Sequence, residues 1–228
     1  MIGLLVALAA SWLLFWLFER KHLSPLGLTP YRKRIGNFLV GLIASVVVAA
    51  VYFLFVAAVT KSSLSVNKEF TAAGFFSASW WVLKSVLFEE FLFRGALLYI
   101  AIKKLGIKWG CILSAIAFGI YHWFSYNVFG EPTQMIFVFI VTVIAGLMFA
   151  YAYAITKSLY LPIGLHLGWN LVTIVVFSQG PLGQQLLISA NGHKAGGIIS
   201  LALFAFQVLV LPLITYWYLR RTEPLTKQ

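Results

Sequence analysis

The chain has 228 residues, of which 61% are hydrophobic and 10% charged, with a formal net charge of +11. Soluble domains are about half apolar and about a quarter charged, so this composition excludes a soluble globular enzyme and points to an integral membrane protein. The basic excess would suit a nucleic-acid partner in a soluble chain. Here the lysines and arginines cluster between apolar runs, so the expected environment is a lipid bilayer and no nucleic acid is expected.

In chain order, seven membrane spans are expected, at about 2–18, 36–59, 72–100, 110–129, 134–155, 159–177 and 197–219. The first run lacks a basic start, and "ALAAS" follows too short an apolar stretch for a cleavable signal, so it reads as a retained span. Residues 178–197, "SQGPLGQQLLISANGHKAGG", are too polar and glycine-rich to span and are expected to form the longest late loop. No internal repeat or low-complexity linker is visible. The expected fold is all-α, a polytopic helix bundle forming one domain over residues 1–228. The lone Cys111 cannot form an intramolecular disulfide.

Charge between the spans orients the bundle. Twelve basic residues fall on one side: Arg20, Lys21, Arg32, Lys33, Arg34, Lys103, Lys104, Lys108, Lys157, Arg220, Arg221 and Lys227. Three fall on the other: Lys61, Lys68 and Lys194. The N-terminus is therefore expected outside and the C-terminus in the cytoplasm.

Within the third span lies "FEEFLFRG", residues 88–95, in a chain with only six acidic residues and no aspartate. Each charge in the middle of a span costs roughly 2.5–3.5 kcal/mol on insertion scales. Glu90 and Arg94 lie four apart, on one helix face, and are expected to pair. Glu89 is turned about 140° from Arg94, so it lacks that built-in partner. A structural Glu–Arg clamp accounts for Glu90 and Arg94 and leaves Glu89 unexplained, whereas a buried carboxylate positioned to accept a proton explains it. Lys84 has no evident role beyond snorkelling or local pairing.

Two histidines fall in other spans, His122 in "AFGIYHWFS" and His166 in "LPIGLHLGWN", and Asn170 shares a helix face with His166. Counted from the cytoplasmic ends, Glu90, His122, His166 and Asn170 lie about seven to twelve residues deep, roughly 10–18 Å at 1.5 Å per residue. A single intramembrane histidine is ordinarily a helix–helix hydrogen bond, but agreement in depth with the two carboxylates, Glu89 and Glu90, and the Asn170 amide makes His122 and His166 part of a candidate site. His22 and His193 fall in loops and receive no role. Phe88, Phe91, Phe93, Trp123 and Trp169 flank the site and are expected to pack. Gly95, Gly119 and Gly168 are expected at close helix contacts.

On these residues the chain resembles the CPBP family of intramembrane proteases (CAAX protease and bacteriocin-processing, also called Abi). The family pattern is EExxxR, FxxxH and HxxxN in separate helices. Here it reads Glu89-Glu90-Phe91-Leu92-Phe93-Arg94, then Phe118 to His122, then His166 to Asn170, inside a core at 72–177. The resemblance implies an endopeptidase that cuts a membrane-anchored protein or peptide. Glu89 would activate water, His122 would help hold that water, and His166 and Asn170 would stabilise the oxyanion. Glu90 and Arg94 would support the site as a pair. No cofactor is favoured. Family members have been called metalloproteases, and zinc held among Glu89, His122 and His166 is the alternative, although no HExxH pair is present. Two further readings stand beside proteolysis: a non-catalytic scaffold or bacteriocin-immunity protein of the same fold, and a proton or solute transporter. The expected location is a bacterial plasma membrane, crossed several times.

Overall fold

The computed structural model describes residues 2–190 and 192–222, and Lys227 of the basic tail lies outside them. Seven helices carry the chain: α1 (Ile2–Glu19), α2 (Tyr31–Thr60), α3 (Ala72–Arg94), α4 (Ala96–Ser125), α5 (Pro132–Thr156), α6 (Tyr160–Asn170) and α7 (Gly197–Arg221). Among the described residues, four are long and apolar enough to cross a membrane, over Ile2–Glu19, Arg34–Thr60, Pro132–Thr156 and Gly197–Arg221. The others miss for physical reasons. α3 holds Lys84, Glu89, Glu90 and Arg94, and α4 holds three lysines. α6 has only 11 residues before it widens into a π-helical turn at Leu171–Val176.

The expected third span, 72–100, is corrected: the helix breaks at Gly95, the residue that ends α3 and caps α4. Two close approaches sit there, because a Cβ on Gly95 would strike the Phe91 carbonyl and come within 2.9 Å of the Ser11 hydroxyl. The segment 96–105 then runs on beside α1. Phe15 stacks edge-on against Tyr99 at 5.5 Å, and Glu19 pairs with Lys103 at 2.7 Å. The chain turns again at Gly106, whose φ of 79° is open to glycine and strained for other residues. Beyond it, 107–125 doubles back, and Gly110 faces the backbone of Ile102. The expected fourth span, 110–129, is thus the stretch 107–125, entered through a glycine hinge.

α2 packs most extensively on α6, and glycine makes this possible. A Cβ on Gly164 would strike the Phe38 carbonyl oxygen, and one on Gly41 would lie 2.8 Å from the Leu161 carbonyl oxygen. The two backbones therefore meet directly, as small residues allow between helices in lipid. The Ser45 hydroxyl lies 3.3 Å from the Gly164 carbonyl across the same contact. α4 and α5 form the other large helix pair.

The late loop is more ordered than expected. Strand β1 (Ser63–Val66) pairs antiparallel with β2 (Leu187–Ala190), with Ser63 opposite Ala190 and Val66 opposite Leu187. This two-stranded sheet ties the loop to the end of α2, and the His193 amide donates to the Thr60 carbonyl at 2.7 Å. Most of the rest of the described chain is helical.

Candidate active site

The C-terminal third of α3 is where charge enters the interior. Thr71 caps the start of α3 by accepting from the Gly74 amide at 3.1 Å, and the helix then runs about five turns inward before its acidic pair. Glu89, Glu90 and Arg94 are all buried, Glu90 and Arg94 completely. Arg94 Nη1 donates to Glu90 Oε1 at 3.1 Å, the expected i,i+4 pair. The same Glu90 oxygen lies 2.8 Å from His166 Nδ1, a partner the spacing did not reveal. An ionised carboxylate only accepts, so Nδ1 carries the proton in this contact.

Arg94 is enclosed on its other sides. Nη2 donates to the Gly146 carbonyl of α5 at 3.3 Å, and the guanidinium carbon sits 4.0 Å from the centre of the Phe118 ring and 5.0 Å from that of Phe149. Phe149 also stacks on His166, with centroids 4.8 Å apart and planes 18° apart. A guanidinium held by a carboxylate, a carbonyl and two ring faces is compensated for its burial. One helix turn of α3 therefore locks α5 and α6 together.

Glu89 is arranged differently. Its Oε1 lies 3.4 Å from the Ser85 hydroxyl one turn earlier. Its Oε2 is buried and has no hydrogen-bond partner among the described residues. That oxygen stands 3.8 Å from His122 Nε2 and 3.7 Å from His166 Nε2. His122 Nδ1 lies 2.8 Å from the Phe118 carbonyl oxygen, which only accepts, so Nδ1 is the donor there. Both imidazoles thus spend their Nδ1 protons away from Glu89 and turn Nε2 toward it. A separation of 3.7–3.8 Å is too long for a direct hydrogen bond, but one water could touch both partners.

The same three atoms form the donor set for a metal. Each histidine donates Nδ1–H to a carbonyl or carboxylate, the support that metal-bound histidines have. The spacing is wider than the edge of about 3.4 Å that a tetrahedral zinc with bonds near 2.0–2.1 Å requires. Among the described residues, no group of three or more His, Cys, Asp or Glu is close enough as placed to hold a metal ion.

Of the sequence candidates, Glu89, Glu90, Arg94, His122 and His166 come together. Asn170 ends α6 one turn beyond His166, half-buried, with no side-chain hydrogen bond among the described residues. The flanking aromatics pack: Phe93 meets Phe118 edge-on at 5.2 Å, Trp123 Nε1 donates to the Met135 carbonyl, and Trp169 faces Tyr52. Lys84 places its ammonium 5.9 Å from the Trp80 ring centre. Three contributors were missed. Ser85 shares the face of Glu89 at i−4, so spacing could have found it. Gly146 and Phe149 sit in a featureless apolar helix, and only packing reveals them.

The fold and site define a helical membrane protein with a carboxylate–imidazole cluster in its interior. Residues 70–172, which hold all three motifs, match the family described as Type II CAAX prenyl endopeptidase Rce1-like, and this match supports the CAAX-protease (CPBP) resemblance for that part of the chain. No curated protein and no solved structure matches the chain significantly. The class that follows is a membrane protease acting on a peptide or protein substrate.

Proposed function

We propose that the chain is an intramembrane endopeptidase in which Glu89 is the general base for water. The observation that carries this is Glu89 Oε2, buried without a partner and facing two imidazole Nε2 atoms at 3.7 and 3.8 Å. Water held there gives one proton to Glu89, while its remaining O–H donates a hydrogen bond to the lone pair of His122 Nε2. The oxygen, made nucleophilic, attacks the scissile carbonyl. The oxyanion that forms is stabilised by His166, which Glu90 holds at Nδ1, and by the Asn170 amide one turn away. Glu89 then passes its proton to the leaving amine, so the base ends the cycle ionised. Glu90 and Arg94 are positioning residues that fix His166 and the three helices around it.

A second reading has its own support: the Nδ1 partners of both histidines suit zinc held by Glu89, His122 and His166. Bound there, zinc would act as a Lewis acid on water or on the substrate carbonyl. The purified protein decides between them. The glutamate mechanism expects well under one equivalent of zinc and activity that survives chelation. Stoichiometric zinc, with activity restored only by metal after its removal, reverses the assignment.

The substrate in this reading is a membrane-anchored protein or peptide. In the same reading the protein is a seven-span, single-domain bundle of a bacterial plasma membrane, N-terminus outside and C-terminus cytoplasmic, which the basic residues between the apolar runs support. Comparing the secreted and membrane peptides of cells that carry the wild type with those carrying Glu89→Gln identifies the substrate and tests the base together. Peptides that disappear only in the variant are the expected result. An unchanged peptide set, with the variant protein folded in the membrane, overturns the role of Glu89.

A further inference from the structure

Away from the active site, a cavity of about 430 Å³ opens where α1 and α5 end and α2 begins, with Lys21, Arg34, Tyr99, Lys103, Tyr153 and Lys157 in its walls. Among the described residues no carboxylate lines it. Glu19, just outside, holds Lys103 at 2.7 Å, and the other three cations have no acidic partner among the described residues. Orientation of the bundle accounts for basic residues on this side. It does not account for four of them, drawn from four separate stretches of chain, meeting around one cavity.

The cavity is also rigidly built. Its floor is the turn Ser24–Leu26, fastened to the α5–α6 junction by three bonds. The Tyr153 hydroxyl donates to the Pro25 carbonyl at 2.7 Å, the Ser158 hydroxyl to the Gly27 carbonyl at 2.7 Å, and the Leu159 amide to the Leu26 carbonyl at 3.1 Å. Arg34 Nη1 donates to the Lys157 carbonyl at 3.2 Å, which joins the start of α2 to the end of α5. Lys21 donates to the Tyr99 hydroxyl at 3.2 Å, and the ammonium groups of Lys21 and Lys103 each lie 5.8 Å from the centre of that ring. Lys21, Arg34 and Lys103 are thus held in place by contacts that leave most of their donors free.

We propose that this cavity binds a phosphate-bearing anion, as found in the headgroup of an anionic phospholipid. α1, α2 and α5 are long and apolar enough to span, so their ends lie where lipid headgroups lie. Lysine ammonium groups supply point charges and the Arg34 fork supplies paired donors, the combination that phosphate oxygens accept. Basic pockets between membrane helices recognise such headgroups by the same physics. Pro25 and Ile102 give the cavity an apolar side against which a glycerol stem can rest. The distance along α5 from Gly146, which Arg94 contacts, to Tyr153 is about 10 Å, so a bound headgroup is separate from the active site.

The test uses the full-length protein purified in a neutral detergent, with retained lipid counted by native mass spectrometry. The probes are phosphatidylglycerol, phosphatidylcholine and inorganic phosphate. Wild type is expected to retain phosphatidylglycerol in preference to phosphatidylcholine. At roughly 1 kcal/mol per lysine, Lys21→Gln with Lys157→Gln weakens that retention about 30-fold, and either change alone weakens it about fivefold. Lys61→Gln with Lys68→Gln, at the opposite end, leaves it unchanged. Inorganic phosphate that competes at equal concentration, through the same two lysines, upholds the phosphate site and assigns it to a free anion. Equal retention of the two lipids, or equal retention of phosphatidylglycerol by wild type and a folded single variant, overturns the proposal.

Discussion

At the interior site, five ionisable side chains from three helices lie within a few ångströms, joined by contacts of 2.8–3.8 Å. At the rim cavity, of four cations Lys103 pairs with the one nearby carboxylate, Arg34 donates to a backbone carbonyl and Lys21 to a tyrosine. Water and salt screen the rim, so an unpaired charge there costs little. Inside lipid, the same imbalance would prevent folding, so each charge must be answered by a named partner. Glu90 Oε2 and Arg94 Nε also lack hydrogen-bond partners, but each belongs to a side chain that is ion-paired through another atom. Glu89 stands out because its side chain has no such pair and its Oε2 faces two imidazole Nε2 atoms, whereas unpaired lysines at the rim stand out only because they converge.

The sharpest way to break this contrast is to remove the unanswered group. Glu89→Gln is expected to lower the cleavage rate by about 10²–10⁴-fold, the usual contribution of a general base, while the thermal midpoint stays near that of the wild type. Substantial unfolding would instead make Glu89 part of the structural network. The answered groups should behave in the opposite way. Arg94→Ala and Glu90→Ala each leave a buried charge unpaired and are expected to destabilise by about 3–5 kcal/mol, read by unfolding in detergent. The double variant should lose less than the two singles combined, and simple additivity would show that the pair is uncoupled.

A smaller effect is expected where two backbones touch. Gly164→Ala forces α2 and α6 apart at the Phe38 carbonyl and should cost about 1–3 kcal/mol, also read by unfolding. A variant as stable as wild type would mean that the helices meet less closely. At the rim, Lys103→Gln removes the pair with Glu19 and should leave the unfolding midpoint unchanged, since both partners reach water. Last, single cysteines at positions 103–108 and 185–190 in a Cys111→Ser background place the two ends of the bundle. An impermeant thiol reagent should label the 185–190 set from outside and the 103–108 set only after permeabilisation. The reverse result would turn the rim cavity, and the proposed cleavage depth, to the other leaflet.

The helical nature of the chain, the positions of most helices and the residues of the candidate site were legible in the sequence. Long apolar runs must form helices in lipid because no other open backbone satisfies its own polar groups there. Charges are so costly in such runs that Glu89, Glu90, Arg94, His122 and His166 announced themselves. The i,i+4 rule also placed Arg94 on Glu90, because that contact lies within a single helix turn. The breaks at Gly95 and Gly106 were less legible. A glycine in an apolar run fits a helix, a close contact or a turn equally well, and the backbone angles of its neighbours decide which.

What only the tertiary structure decided is how the helices use those residues on one another. His166 reaches Glu90 across 76 positions of sequence, and Gly146 and Phe149 close the Arg94 cage from a helix with no polar signal of its own. β1 and β2 pair across more than a hundred residues to order a loop that its composition left shapeless. Composition and periodicity report the cost of each residue in lipid and the face of the helix on which it lies. Which faces meet is set by the shapes of whole helices packing together, such as α2 and α6 touching through glycine, and that information resides in no single stretch of the chain.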